Sequence, residues 1–275
     1  MNKLTSYAIA LASTVAVLTG AWLTFASAAD PTVYKSQPVT VAAPSVPFLT
    51  GWYVGAFVGY GQGTGTPQLD SIASGGETWT VPAGYGQGPD IRRDGMVLGG
   101  QIGYDWAMDQ RWRVGLVGDL AFSQIGGTAG LPYSNAQLTS KMTWLGNADV
   151  RVAYLITPGA AIYVLGGLTA AGINNSIRGI GSPDFFVGPF YSPTSQSESS
   201  TKWGWNVGAG FEAALDNKRQ WSVFVDGRYF KLPDSKQAVK GFFDCHRCEE
   251  SAIANVSTKN EYSVFRVGFN YHPGN

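Results

Sequence analysis

"RWRVGLVGDLAFSQ", residues 111–124, decides the fold. Taken every second residue, one side reads Trp112, Val114, Leu116, Gly118, Leu120 and Phe122; the other reads Arg111, Arg113, Gly115, Val117, Asp119 and Ala121. A period of two is that of a β-strand, whose successive side chains point to opposite faces. One face is apolar and aromatic along its length, and the other is small with a lone carboxylate at mid-span. The question is which face meets the surroundings.

Seven more stretches share this texture, giving strands over about 52–61, 95–108, 111–124, 139–156, 160–173, 202–215, 220–231 and 261–271. Their connections alternate. Residues 109–110, 157–159 and 216–219 are tight links, while 62–94, 125–138, 174–201 and 232–260 are long and rich in Gly, Pro and Ser. Regular alternation of short and long links predicts an up-and-down antiparallel meander whose two ends are under different constraint.

The aromatics then separate into two levels. Trp52, Trp106, Trp112, Tyr154, Trp221 and Tyr271 fall beside the short links; Tyr60, Phe122, Trp144, Trp203, Trp205 and Tyr229 fall beside the long ones. A membrane barrel carries such girdles at both interfaces, with an apolar band between them, whereas core aromatics of a soluble barrel have no reason to collect at two levels.

The opposite face agrees. In 139–156, Met142, Trp144, Gly146, Ala148, Val150, Val152 and Tyr154 share one side, and Lys141, Thr143, Asn147, Asp149 and Arg151 share the other. Isolated charges of both signs, Asp105, Asp119, Asp149, Arg151, Lys202, Glu212, Asp226, Arg228 and Arg266, sit among glycines. Facing lipid at mid-depth, Arg or Lys would cost roughly 2–4 kcal/mol and Asp somewhat less. Facing inward, Asp119 can accept from Arg151, Arg228 or Arg266, a choice that depends on register. Residues 160–173 are small or apolar on both faces, so their inward side is open. The prediction is an all-β, eight-stranded antiparallel up-and-down transmembrane β-barrel.

Composition fits this reading and narrows the function. The chain has 275 residues with 36 glycines, 13% aromatic and 14% charged, against a usual charged share of about 25%. Formal net charge is zero and no basic stripe is present, which argues against a nucleic-acid partner. Residues 1–28 read as a secretory signal peptide, with Lys3, an apolar run and Ala26-Ser27-Ala28 ahead of the cut; an uncleaved anchor is the alternative. Residues 29–50 hold four prolines and read as an extended periplasmic tail, and 51–275 as the barrel.

"GWYVGAFVGYGQG", "GMVLGGQIGYDW", "GLVGDLAF", "GWNVGAGFEAAL" and the closing "EYSVFRVGFNY" together resemble the small outer-membrane β-barrel proteins of alphaproteobacteria, the porin-family or OmpA/OmpX-like group. The resemblance runs from Gly51 to Tyr271 and rests on the order of loose motifs. It implies an exported protein of the Gram-negative outer membrane and cell envelope, with no catalytic residues. It also implies roles in envelope integrity, adhesion or ligand capture, and outer-membrane lipids, lipopolysaccharide and the barrel-assembly machinery as partners. Family chains usually stop at an aromatic residue read by that machinery. Here Tyr271 is followed by His272-Pro273-Gly274-Asn275, so either Tyr271 is read instead or assembly is slower or differently handled.

The word "porin" is not taken literally. Eight strands enclose an interior that side chains fill, whereas an aqueous channel takes about sixteen to eighteen. The expectation is a plugged lumen with at most small, rare conductance; small-solute passage and loop-based ligand binding, of haem for example, are the alternatives. In "FFDCHRCEE", residues 242–250, Cys245, Cys248, His246, Asp244, Glu249 and Glu250 offer metal-ligand types, but one half-site lacks a partner pair. The preferred reading is a Cys245–Cys248 disulfide in an oxidising compartment, with no metal and no cofactor. Phe185, Phe186, Phe190 and Tyr191 in the third long link are either contact residues for an extracellular ligand or surface, or rest on the rim; deleting 184–195 should leave the barrel folded. Lipid-modifying catalysis is the least favoured reading, since the histidines available as a base, His246 and His272, fall in a loop and in the tail.

Overall fold

The computed structural model describes residues 48–82, 87–130, 137–178, 190–191, 196–245 and 248–273; for 190–191, 239, 241–245 and 248–252 it describes the backbone. Strands follow one another as β1 (Gly51–Gly65), β2 (Pro67–Ser74), β3 (Glu77–Thr80), β4 (Ile91–Ala107), β5 (Trp112–Ser123) and β6 (Gly126–Gly130), then β7 (Gln137–Thr157), β8 (Ala160–Arg178), β9 (Phe190–Tyr191), β10 (Gln196–Ala214), β11 (Trp221–Cys245) and β12 (Cys248–Tyr271). Eight of them close a ring in the order β1, β4, β5, β7, β8, β10, β11, β12 and back to β1, with every pairing antiparallel. Closure leaves no edge among these strands, so backbone groups at membrane depth are satisfied by the ladder.

The regions read as long loops continue as strand. β11 and β12 run 25 and 24 residues, more than twice the 9–11 or so that cross a bilayer, and stay paired from Trp221↔Tyr271 to Cys245↔Cys248. Pro233 and Asp234 read as a break, yet they produce only a register shift between Leu232 and Ser235; Pro is tolerated where a bulge interrupts the ladder. Beside this hairpin, β2 pairs with β12 and β3 with β2, while β9 pairs with β11, so a sheet ordered β3, β2, β12, β11, β9 stands beyond the barrel.

A second correction concerns β7. Thr143 is an extra residue between the pairs Met142↔Ile173 and Trp144↔Gly172. Such a bulge reverses the faces beyond it: Met142 turns into the lumen at 1% exposure, while Thr143 and Lys141 turn outward with Trp144. The same register settles β8, whose Ala161, Tyr163, Leu165, Thr169, Ala171 and Ile173 point inward and whose Ile162, Val164 and Leu168 point outward.

Outside, the band between the two aromatic levels is apolar and exposed, with Val54, Ile102, Leu116, Leu120, Val150, Val164, Val207 and Phe269 among it. Beside the short links, Trp52 meets Tyr104 edge-on and Tyr104 meets Trp106 at a tilt, and Trp112 packs against Tyr154 and Trp221 against Tyr271. Trp52, Trp106, Trp112 and Trp221 are exposed there; near the long links Tyr60, Phe122, Trp203 and Trp205 are exposed, and Trp144 and Tyr229 lie half-buried, Tyr229 against Trp205.

Candidate functional site

Among the described residues, buried charged side chains gather in the interior, so the candidate site is the lumen. Asp119, Asp149, Arg151, Glu212, Asp226, Arg228 and Arg266 are all buried, none more than 7% exposed, together with Asp105. Lys202 is half-buried on β10, next to Trp203 in the chain. Inward glycines make the space: a Cβ at Gly103 would strike the Tyr53 ring, and one at Gly115 would strike the Asp105 carboxylate.

Register selects the cation for Asp119. Arg228 Nη1 donates to Asp119 at 2.9 Å and to Asp149 at 2.6 Å, and Arg266 Nη1 reaches Asp119 at 3.3 Å. Arg266 also grips Asp226 through two bonds, Nε to Oδ1 at 2.8 Å and Nη2 to Oδ2 at 2.7 Å, the bidentate geometry for which guanidinium is suited. Its Cζ lies 4.3 Å from the Phe57 ring centre. Arg151 turns the other way, donating to Glu212 at 2.7 Å and standing 3.7 Å from Asp105. Neutral side chains complete the set: Asn147 donates to Asp119, Asn206 to Asp149, Thr169 to Asn147 and Tyr163 to Asp226. Asn206, Thr169, Tyr53 and Tyr163 are absent from a reading by charge; their signal is parity with Asp149 or Glu212 across the register, which the sequence does not supply.

Apolar layers lie on both sides of this ionic one. Toward the long links Phe57, Val97, Ile125, Met142, Leu145, Ile173, Phe224, Phe230 and Val264 form one buried cluster, and farther out Ile72, Ile91, Leu138, Ile177, Ala254 and Val256 form another. Arg93, at 1% exposure, is near the outer end of the first of these, donating to Asn260, Tyr262 and the Lys259 carbonyl. Toward the short links Phe48 and Leu49 pack with Ala153, Leu155, Ala161, Tyr163 and Leu165. The end of the stretch read as an extended tail therefore lies inside the barrel. Leu49 takes a φ of 57° to make the turn, and Arg113 holds the Phe48 carbonyl at 3.2 Å.

His272 also differs from its expected place in a tail. It is 1% exposed, its backbone N–H continues the ladder to Gln220, and its ring sits between Phe48 and Tyr53. Its Nε2 lies 3.1 Å from Ser222 Oγ and 3.4 Å from Glu212 Oε1, and Ser222 in turn donates to Glu212. Serine, histidine and carboxylate meet here, but not as a relay. A catalytic relay places nucleophile and acid on opposite ring nitrogens, whereas both are on Nε2 here and Glu212 is ion-paired with Arg151 and accepts a further bond from the Asn270 amide. Cys245 and Cys248 face one another in backbone register; their side chains and residues 246–247 lie outside the described set, as do the signal-peptide reading and the deletion segment 184–195 apart from 190–191.

The family model for the outer membrane protein beta-barrel domain matches residues 38–272, and the chain belongs to that family. It is 26% identical over 259 residues to the 31 kDa outer-membrane immunogenic protein of Brucella melitensis biotype 1, covering 94% of this chain and 97% of the relative, and equally to that of Brucella suis biovar 1. Among solved structures it is similar to the outer membrane protein OprG from Pseudomonas aeruginosa, at 11% identity and a TM-score of 0.42 over 82% of this chain and 97% of that one. Ail of Yersinia pestis matches at 15% identity and a TM-score of 0.34, over 81% and 99%. The protein is a bacterial outer-membrane β-barrel.

Proposed function

We propose that this member of the outer-membrane β-barrel family is a sealed barrel with a structural and surface-contact role, not a channel and not an enzyme. The observation that carries this is the filling of the lumen: apolar layers above and below an ionic layer whose arginines are held by carboxylates. Eight-stranded barrels have interiors that side chains can fill, and a solute crossing this one would have to part buried ion pairs and three apolar clusters. The Ser222, His272 and Glu212 geometry serves packing at the mouth.

With short links toward the periplasm, the β3, β2, β12, β11, β9 sheet stands on the cell exterior and is the surface offered to an extracellular ligand. Outer-membrane lipid, lipopolysaccharide and the barrel-assembly machinery are its other proposed partners. Purified protein in planar bilayers tests the sealed lumen: the expected trace is flat, and stable large single-channel steps would overturn the reading. Replacing residues 236–257 by a two-residue turn tests the exterior sheet. Cells carrying that version should keep the folded barrel and lose surface attachment, and unchanged attachment would remove the contact role.

A further inference from the structure

We propose that Arg93 anchors a buried binding site, inside the outer half of the barrel, for a small planar oxyanion of the formate or nitrate class. The order of residues along four strands builds it. On β4, Arg93 stands between Ile91 of the outer apolar cluster and Val97 of the inner one. In the same way Ser140 of β7 stands between Leu138 and Met142, Asn175 of β8 between Ile177 and Ile173, and Thr258 and Asn260 of β12 between Val256 and Tyr262. A polar layer is thus enclosed by apolar ones, and all five of its residues named here are buried. Of the five, only Arg93 is charged. The buried carboxylates of the ionic layer are engaged there, and among the described residues none pairs with Arg93; Glu198, the register partner of Asn175, is exposed.

The guanidinium shows which ligand fits. Its Nη1 donates to neutral acceptors, the Lys259 carbonyl at 3.3 Å, Asn260 Oδ1 at 3.1 Å and the Tyr262 hydroxyl at 2.7 Å, while Nε and Nη2 are buried and meet no acceptor in the protein. Those two nitrogens form one edge of the fork. In the ionic layer the same edge of Arg266 takes both oxygens of Asp226, at 2.8 and 2.7 Å. Arg93 offers that bidentate grip to an oxyanion the chain does not itself provide. Gly65 keeps the edge uncovered, since a Cβ there would lie 2.6 Å from Nη2. Ser140 is beside the Tyr262 hydroxyl, and its own hydroxyl can turn to donate. An ionised group withdrawn from water is strongly destabilising without a counter-charge, and arginine does not shed its proton on burial. With apolar clusters on both sides, the anion that answers it is small, and it is planar where two oxygens meet one edge. The site goes beyond the sealed-barrel reading and stands whether or not the lumen conducts.

The test follows urea unfolding and refolding of the full-length protein in phosphatidylcholine vesicles, with sodium formate or sodium nitrate exchanged for sodium chloride at constant ionic strength. As bulk salts, formate and nitrate fall on opposite sides of chloride in their effect on apolar burial, whereas a bound oxyanion raises stability in both. Above its dissociation constant, each tenfold rise in the anion should lower the unfolding equilibrium constant about tenfold. Arg93→Met should abolish both gains, and Arg92→Met, at the exposed neighbour, should keep them. Carbon-13 formate gives a reading that needs no variant: its resonance should broaden saturably with the folded wild-type protein and not with the urea-unfolded chain. That resonance also decides if Arg93→Met does not fold, which a boiling-dependent gel shift reports. Midpoints that stay unchanged or move in opposite directions in the two salts, gains that persist in Arg93→Met, or a formate resonance indifferent to the folded protein would overturn the site.

Discussion

Asp226→Ala removes the acceptor that ties β11 to β12 and β8 through the lumen. The carboxylate is 2% exposed, receives two bonds from Arg266 at 2.7 and 2.8 Å, and takes the Tyr163 hydroxyl at 3.2 Å. Without it, Arg266 keeps a single 3.3 Å contact to Asp119, which already holds Arg228, and the Tyr163 hydroxyl loses its partner. Breaking one member of a buried pair costs about 3–5 kcal/mol because a charge is left behind in low dielectric. The internal comparison is Glu261→Ala. Its partner Lys231 is 3.5 Å away, but the two side chains are 42% and 53% exposed, and exposed pairs contribute no more than about 1 kcal/mol. Urea unfolding in phosphatidylcholine vesicles, followed by tryptophan emission and by the boiling-dependent gel shift, reads both. The reasoning fails if Asp226→Ala is no more destabilising than Glu261→Ala.

Three further outcomes follow from the same geometry. Leu116→Arg or Leu120→Arg puts a cation on the exposed apolar band at 54% and 63% exposure and should lower stability in vesicles by roughly 2–4 kcal/mol; a change near zero would place those residues away from lipid. Gly115→Leu drives a side chain into the buried Asp105 carboxylate and should lower the folded yield on a gel, while Gly118→Leu, whose Cβ has only a backbone atom at 3.9 Å, should not. In the turn before β5, the backbone N–H groups of Trp112 and Arg111 hold the Asp109 carboxyl below its ordinary value. Its contribution is therefore present above the unfolded value of about 3.9 and fades as pH falls through the folded one. Asp109→Asn should lower the urea midpoint at pH 5 and match wild type near the acid limit; a constant offset at all pH would show that the charge is not involved.

Strand number, antiparallel order and the placement of charge were legible because they need only period two and link length. Arg111 to Gln124 illustrates this: a single stretch separates Leu116 and Leu120 from Arg113 and Asp119, and the structure keeps that separation. What lay beyond the sequence was whatever register or a local irregularity sets. The bulge at Thr143 reverses Met142 and Lys141, and no residue type marks it. Pro233 and Asp234 carry turn chemistry, but a bulge absorbs them and the hairpin continues to Cys245. Asp119 could have met three arginines on charge alone, and strand pairing chose two. Phe48, Leu49 and His272 look like flanking tail, because nothing local shows that the mouth of the barrel has room for them.

Spin labels test the central division between an apolar exterior and an ionic interior most directly. In a Cys245→Ser, Cys248→Ser background, single cysteines at Leu116, Leu120 and Val150 would carry a nitroxide in vesicles. The account predicts that all three relax strongly with dissolved oxygen, which concentrates in lipid, and weakly with a water-soluble nickel chelate. A label at Lys236, on the exterior hairpin, should show the opposite preference. Chelate access at Leu116, Leu120 and Val150 would mean that this face meets water, contradicting the account.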